Sequence, residues 1–567
     1  MVAERFRKYI PAFLTVIILL LYSHTCSYEL LNYWDNEGYS YLNENPLAQS
    51  FSSENFKRVF SETFDRHYHP LTLISLGIDH KLFGNDLTGY RAINLLLFIL
   101  ISLSLYFLIL KLTRNTGAAI FSSLFFALHP YNVESVLWLS ERKNLLFMLF
   151  LLPALHQYIN YCDTGKSKYL WLSAGLFLLS LLSKSQGLPF IGIVFIADWF
   201  RKRRFSVKLI LEKISILAIA FIFLLLTIYF SDSGTFVRTH PDSAVDYLFA
   251  GTRNLFMYFV HSLIPWGMSP YHPYPDAEIL AKIFWYYPIL IAIVIYIIFR
   301  FFKRNSYVLF GLLFFLISVF PLIKIFPIPY GNYIFADRYL ILPLAGIGLA
   351  LWAAGDRLLA GFKKIQIFLS VVLFLFFSVS TYVYSSVWEN NISFYSHLTE
   401  KHPQLKSGWG NRGRVYMEKG RYNEAISDFT EVIHLYPEYS NAYLNRGLAY
   451  AKTDKTSKAY NDFSLAIKYD SSSYKAYNNR ALLLLQLNKL PEALNDISVT
   501  VKLFPEFPDG WVNKSLIEMR MQKAGASQNS LDRAISYGFS DMKIINMIIG
   551  GNKATLEKNE KVESDLN

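Results

Sequence analysis

Five short clusters of ionisable side chains interrupt an otherwise apolar sequence: WDNEGY (34–39), DRHYHP (65–70), HPYNVESVLWLSERK (129–143), SKSQ (183–186) and ADRYLILP (336–343). Each sits at the edge of an apolar stretch, where a charged group is costly to hold, so such groups mark function or a satisfied polar contact. Asp35, Glu37 and the nearby Glu44 follow directly on the first apolar run. Carboxylates there can exchange a proton with a reacting hydroxyl, and Lys or Arg can hold an anion. Plainer readings stand beside these. Glu134 pairs with Arg142 or Lys143 to orient its loop, Asp337 holds Arg338 in place, and His129 before Pro130 caps a turn. His67, His69, Asp35 and Glu134 make a candidate divalent-metal set, but no tight ligand spacing supports one, so the metal reading is the weaker one. Arg66 stays unassigned.

The elements that must position these residues are membrane helices. The 567 residues are 53% hydrophobic and 17% aromatic, with a mean hydropathy of +0.26. Apolar stretches of spanning length occupy 10–27, 91–112, 117–138, 144–161, 168–184, 208–230, 282–301, 306–325, 338–355 and 366–387, with a shorter one at 187–200. That predicts about eleven transmembrane helices. The net charge of +12 is gathered in ERFRK (4–8), RKRR (201–204), FKR (302–304) and FKK (362–364), which read as topology signals and not as a nucleic-acid surface. The first run reads as a signal anchor, because no small-residue cleavage site follows it. Cys26 and Cys162 suit neither a disulfide framework nor a cysteine metal site.

With the first basic cluster inside, 250–266 must stay in-plane or re-entrant for FKR and FKK to remain inside too. Segments 28–90, 129–143, 231–281, 326–339 and everything after 388 then share the non-cytoplasmic side, where all five clusters fall.

After a linker at 388–402 the pattern turns polar and repeats every 34 residues, over 403–436, 437–470, 471–504 and 505–538. Gly413, Gly447 and Ala481 are equivalent, as are Ala425, Ala459 and Ala493. This resembles the tetratricopeptide repeat (TPR), a helix-turn-helix unit with small residues where its helices cross. The fourth repeat keeps Trp511 and Ala534 but has Ser527 at the central alanine position, as a capping repeat does. Residues 539–567 are expected to form a C-terminal helix and, from about Asn552, a disordered tail. The fold class is all-α: a polytopic membrane domain over 1–387 followed by a TPR α-solenoid.

HYHPLTLISLGIDHKLFG, LFFALHPYNVESVLWLSERKNLLFMLFLL and FADRYLILPLAGIGL, in this order and followed by the repeats, resemble the transmembrane and tetratricopeptide repeat-containing family. That family joins a polytopic glycosyltransferase of the GT-C class to such repeats. The resemblance implies transfer of a mannose-like sugar from a polyprenyl or dolichyl phosphate to a protein or glycan acceptor outside the cytoplasm. A departing phosphate needs no strong general acid, so one carboxylate base and cations for the phosphate suffice. By that resemblance the base is Asp35, or Glu37, because Asn36 interrupts the family's adjacent acidic pair. Arg142, Lys143, Arg338 and Lys184 are expected on the donor phosphate, with His129, Glu134, Asp337, Tyr339 and His69 in support. No cofactor is expected beyond the lipid-linked sugar substrate. Expected partners are membrane lipids and an acceptor on the repeats. The expected location is a bacterial inner membrane with the repeats outside the cytoplasm, and the endoplasmic reticulum with lumenal repeats comes second. The alternatives are a non-catalytic membrane-anchored repeat scaffold for envelope assembly, or a polymerase or flippase of lipid-linked glycans.

Overall fold

A chain this apolar leaves backbone amides few partners outside their own helix, and helices make up nearly all of it. The computed structural model describes residues 7–33, 44–64, 68–230, 244–273, 284–325 and 333–566. Among these the sheet is one antiparallel ladder, His272–Pro273 against Tyr333–Phe335. Two compact units divide the chain, residues 1–401 and 402–567.

Among the described residues of the first unit five helices are long and apolar enough to cross a membrane: Ile10–Ser27, Leu87–Thr113, Leu139–Thr164, Asp337–Leu358 and Lys363–Val387. The shorter apolar helices Thr116–Leu128, Ser167–Ser183, Ser185–Phe200, Ile214–Phe230, Tyr287–Phe302 and Ser306–Leu322 fall on the other stretches read from the sequence. This is a multi-pass, all-α membrane unit. The helix Ala244–His261, with Asp246, Arg253 and His261, is not among the apolar ones.

Consecutive helices reverse direction, so their ends alternate between two faces. On one face the turns are tight. Arg114 takes a left-handed conformation (φ 53°) while the Asn115 side chain caps Ala118 N, and Gly165 (φ 68°) ends the helix Arg142–Thr164. The basic clusters gather here, with Lys111 and Arg201 each 3.1 Å from Asp163 and Arg203 2.8 Å from Asp198. The opposite face has the long connections that commonly carry function, and among the described residues 129–143, 183–186 and 336–343 lie there.

One close crossing fixes the late helices. A methyl on Gly311 would come 2.4 Å from Gly346 O, and one on Gly346 would come 2.6 Å from Gly311 O, so the helices Ser306–Val319 and Ile341–Leu358 touch backbone to backbone.

In the second unit the first helices of the repeats start at Lys406, Ser440, Tyr474 and Pro508, 34 residues apart. Phe429 and Phe463 fill the space that a side chain on Gly413 or Gly447 would need. The fourth repeat solves this crossing differently, since Ser515 Oγ donates to Ser527 O (2.7 Å) and Ser527 Oγ to Ser515 O (2.9 Å). Two expectations change here. The stretch read as a linker contains the helix Asn391–Lys401, which belongs to the first unit because Phe394, Tyr395 and Leu398 are buried in it. The tail read as disordered lies within the helix Met542–Leu566, whose Ile545 and Ile548 cover Trp511 and Leu531.

Candidate functional site

Residues 129–143 leave the apolar helix Thr116–Leu128 and re-enter the next one through two 3-10 turns and the short helix Val133–Leu137. This broken path turns Glu134 and Glu141 toward Arg338, which enters from the 3-10 turn Asp337–Leu340. Arg338 Nε lies 3.2 Å from Glu141 Oε1 and NH1 3.8 Å from Glu134 Oε2. Its guanidinium stands over the rings of Trp138, Tyr333 and Tyr339, at 5.1, 5.1 and 5.3 Å. The two terminal nitrogens of Arg338 hydrogen-bond no group among the described residues.

Glu141 is shared. Lys184 Nζ lies 3.0 Å from Oε2 and donates to Asn144 Oδ1 at 2.6 Å, and Lys143 Nζ lies 3.7 Å from Oε1. Glu134, with no exposed surface, accepts from Tyr384 OH at 3.2 Å, while its Oε2 has no hydrogen bond. Burial, and next the neighbouring Asp337 carboxyl, push the Glu134 carboxyl well above the usual range.

Asp337 is buried at the base of the cluster. It accepts from Ser269 N at 2.9 Å and faces His272 Nε2 at 2.9 Å. Burial lowers His272 to about 3, so near neutral pH its ring is uncharged, and burial pushes the Asp337 carboxyl it hydrogen-bonds well above the usual range. The strand pair carrying His272 and Phe335 thereby fixes the turn that delivers Arg338. Next to it, Tyr333 OH and Tyr339 OH lie 2.5 Å apart, and Lys324 Nζ donates to Tyr333 O.

An apolar cleft opens beside Tyr339, lined by Phe147, Leu188, Pro189, Pro321, Leu322 and Leu342 with Ser185, Gln186 and Ser318. A second hollow shares Leu188, Pro189 and Pro321 and adds Leu316, Ile317 and Phe320. Tyr339, on the wall of the first, also lies 5.5 Å from Lys184 Nζ. The cation cluster and an apolar channel therefore meet at one residue.

The sequence-predicted residues divide. Lys143, Lys184, Arg338, Glu134, Asp337 and Tyr339 come together. Asp35 and Glu37 lie outside the described residues, but the chain on both sides of them is held. Asn32 N donates to Asn391 Oδ1 (2.6 Å), Tyr395 OH to Asn32 O (2.5 Å), and Asn45 Nδ2 to Leu73 O (3.0 Å). Trp388, three residues before Asn391, packs on Trp138 at 5.9 Å. Arg142 points elsewhere. Fully buried, it pairs with Asp79 and donates to Asn94 Oδ1 (2.7 Å), Ser75 Oγ (3.3 Å) and Tyr90 O (2.7 Å), which uses its guanidinium on the neighbouring helices instead of a phosphate. Glu134 reaches Arg338 and not Arg142 or Lys143. His129 accepts from Tyr131 N at 3.4 Å as the cap of a turn, and His69 is the buried residue at which the helix Pro70–Phe83 begins. Among the described residues no three His, Cys, Asp or Glu side chains gather as metal ligands, and Asp35 and His67 of the candidate set lie outside them.

Glu141, Asn144, His272 and Tyr384 were not singled out from the sequence. Glu141 was visible in LSERK, but only the 3-10 turn before Arg142 decides which of three adjacent ionisable residues faces the cluster.

The architecture defines a class: a multi-pass helical membrane protein with a buried cluster of cations and carboxylates and a C-terminal repeat array. Family models described as TPR repeat and tetratricopeptide repeat match residues 413–454 and 440–473. The Caenorhabditis elegans protein named O-mannosyl-transferase F38B6.6 is 26% identical over 400 residues, 67% of this chain and 56% of its own length. Human TMTC2, also named a protein O-mannosyl-transferase, is 29% identical over 180 residues, 30% of this chain and 21% of that one. Among solved structures, the second TPR domain of human RPAP3 is 31% identical and covers 21% of this chain and 97% of that one, with a TM-score of 0.20. The two named relatives and the repeat models make this a chain similar to TMTC proteins that carries tetratricopeptide repeats. It spans about half the length of the nematode relative.

Proposed function

We propose that this protein is a membrane glycosyltransferase of GT-C type that moves a mannose-like sugar from a polyprenyl or dolichyl phosphate to a protein or glycan acceptor. Transfer takes place on the non-cytoplasmic side, and the repeats hold the acceptor. The observation that carries the reading is Arg338: gripped by three rings, with Nε 3.2 Å from Glu141 and NH1 3.8 Å from Glu134, next to Tyr339, which lies 5.5 Å from Lys184 Nζ and on the wall of an apolar cleft. A guanidinium fork of this kind suits two phosphate oxygens, and an isoprenoid tail suits the cleft. The names of the relatives add support for sugar transfer, and the basic clusters on the opposite face support the sidedness through the positive-inside rule.

In this reading Asp35, or Glu37, takes the acceptor hydroxyl proton as the new glycosidic bond forms and the sugar–phosphate bond breaks. Arg338 and Lys184, with Lys143 near, hold the departing lipid phosphate. The test is transfer of radiolabelled sugar from polyprenyl phosphate to a peptide acceptor by purified protein. Asp35→Asn is expected to lower kcat by about 10² to 10⁴ with donor affinity nearly unchanged. Full activity in both Asp35→Asn and Glu37→Gln would remove the base from this loop and defeat the mechanism. A scaffold without catalytic activity would give no transfer in the wild type.

A further inference from the structure

The basic cluster RKRR (201–204) is not one patch. The helix Phe190–Phe200 ends in a turn in which Arg203 N donates to Asp198 O (2.9 Å) and Lys202 N to Trp199 O (2.9 Å), a closure that usually has glycine where Lys202 stands. Lys202 holds the left-handed conformation there (φ 56°), which strains a residue that carries a side chain. Beyond this turn the cations separate. Arg201 reaches Asp163 (3.1 Å), Arg203 reaches Asp198 (2.8 Å) and Glu212 (2.5 Å), and the buried Lys213 reaches Asp198 (2.5 Å). Lys202, Arg204 and Lys208 are exposed, and their side chains form no ion pair among the described residues. Three cations are thus neutralised within the protein and three are left on its surface.

The surface cations are interleaved with apolar side chains that nothing else in the chain covers. Phe205 is 78% exposed and Val207 73%, with Leu211 and Ile214 exposed after them. Ile214 opens the apolar helix Ile214–Phe230, on which Phe221 and Leu225 are exposed too, so the apolar surface of the segment continues into that of a membrane helix. This helix packs on Ser167–Ser183 and on Phe190–Phe200, and each of those carries an exposed tryptophan near its end on this face, Trp171 and Trp199. Tryptophans at helix ends mark the level of the lipid headgroups.

We propose that Lys202, Arg204 and Lys208 form a binding site for an anionic phospholipid, its phosphate on the cations and its acyl chains against Phe205, Val207 and Leu211. Cations with no carboxylate of their own attract a negative headgroup, and the Arg204 fork takes two phosphate oxygens. A zwitterionic lipid brings a cation into a site that already has three. A soluble anion makes no use of the apolar side chains beside them. The strained turn fits the same reading, since glycine would relieve the backbone but leave one cation fewer for the ligand. The site lies on the face opposite the Arg338 cluster and asks for no sugar, so it stands or falls apart from the proposed transfer.

The test uses full-length protein stripped of lipid in detergent and titrated with dioleoyl phosphatidylglycerol or dioleoyl phosphatidylcholine, with bound lipid counted by native mass spectrometry. The wild type is expected to prefer phosphatidylglycerol. Each of Lys202→Gly, Arg204→Gln and Lys208→Gln is expected to weaken its binding about fivefold, and the triple variant to bind the two lipids alike. Lys202→Gly also relieves the turn, so its thermal melt should hold or rise while lipid is lost, which a merely structural lysine would not give. Lys452→Gln with Lys475→Gln and Lys489→Gln, all exposed on the repeats, removes the same charge and should change nothing. Equal loss in that variant would reduce the preference to net charge and overturn the site. Equal binding of both lipids by the wild type, or an intact preference in the folded triple variant, overturns it as well. So does full competition by glycerol phosphate or by a short oligonucleotide, which carry phosphate without acyl chains.

Discussion

In the repeats Arg412, Arg446 and Arg480 each meet one aspartate, Asp428, Asp462 and Asp496, through two hydrogen bonds of 2.7–2.9 Å. In the membrane unit one carboxylate, Glu141, is shared by Lys143, Lys184 and Arg338, and Glu134 also lies 3.8 Å from Arg338. A one-to-one fork satisfies both partners and ties the two helices of a repeat together, leaving nothing for a ligand. A carboxylate divided among cations fixes their positions without matching any of them one to one. Arg142 shows that location does not decide which kind a pair is. It stands next to Glu141 in sequence but belongs with the repeat arginines, matched to Asp79 and saturated by its neighbours.

The largest effect should come from Arg142. Arg142→Met strands the buried Asp79 and should lower the stability of the solubilised protein by about 3–5 kcal/mol, read by thermal unfolding, while Asp79→Leu added to it should restore much of the loss. If Arg142→Met left the melt unchanged and weakened only donor binding, Arg142 would join Arg338 as a ligand-facing residue. Next is Arg338→Ala, expected to weaken polyprenyl-phosphate binding by about 1.5–3 kcal/mol with little change in the melt. Arg338→Lys keeps the charge without the fork and should recover only part of it. A smaller effect, about 1–3 kcal/mol in urea unfolding of the repeats, is expected for Asp462→Asn, with donor affinity untouched. The smallest is a gain. Lys514→Arg with Ser530→Asp supplies the fork that the fourth repeat lacks and should add about 0.5–1 kcal/mol, seen as slower amide exchange there. A loss instead would mean that the Ser530–Glu518 bond (2.7 Å) it displaces is worth more.

Much of the architecture was legible because it rests on periodicity. Each apolar stretch became an apolar helix, and the 34-residue repeat became paired helices with starts at that interval. The site was legible only as segments. Nothing local distinguishes Arg142 from Lys143, since the partner that claims Arg142, Asp79, lies 63 residues earlier on another helix. His272 gave no signal, because its role depends on a two-residue strand pairing with Phe335 across the chain. The arginine–aspartate forks, by contrast, recur at a fixed 16-residue separation within each of three repeats, a pattern present in the sequence and simply not sought.

The contact between Gly311 and Gly346 gives the membrane unit a mechanical property. Arg338 lies eight residues before Gly346, about 12 Å along the chain at a helical rise. Two backbones in contact with no side chain between them form a fulcrum, and the segment from Gly346 to Arg338 is its arm. Because no side chain separates the two backbones there, a shift of the helix Ser306–Val319 passes directly to the helix Ile341–Leu358 that follows Arg338.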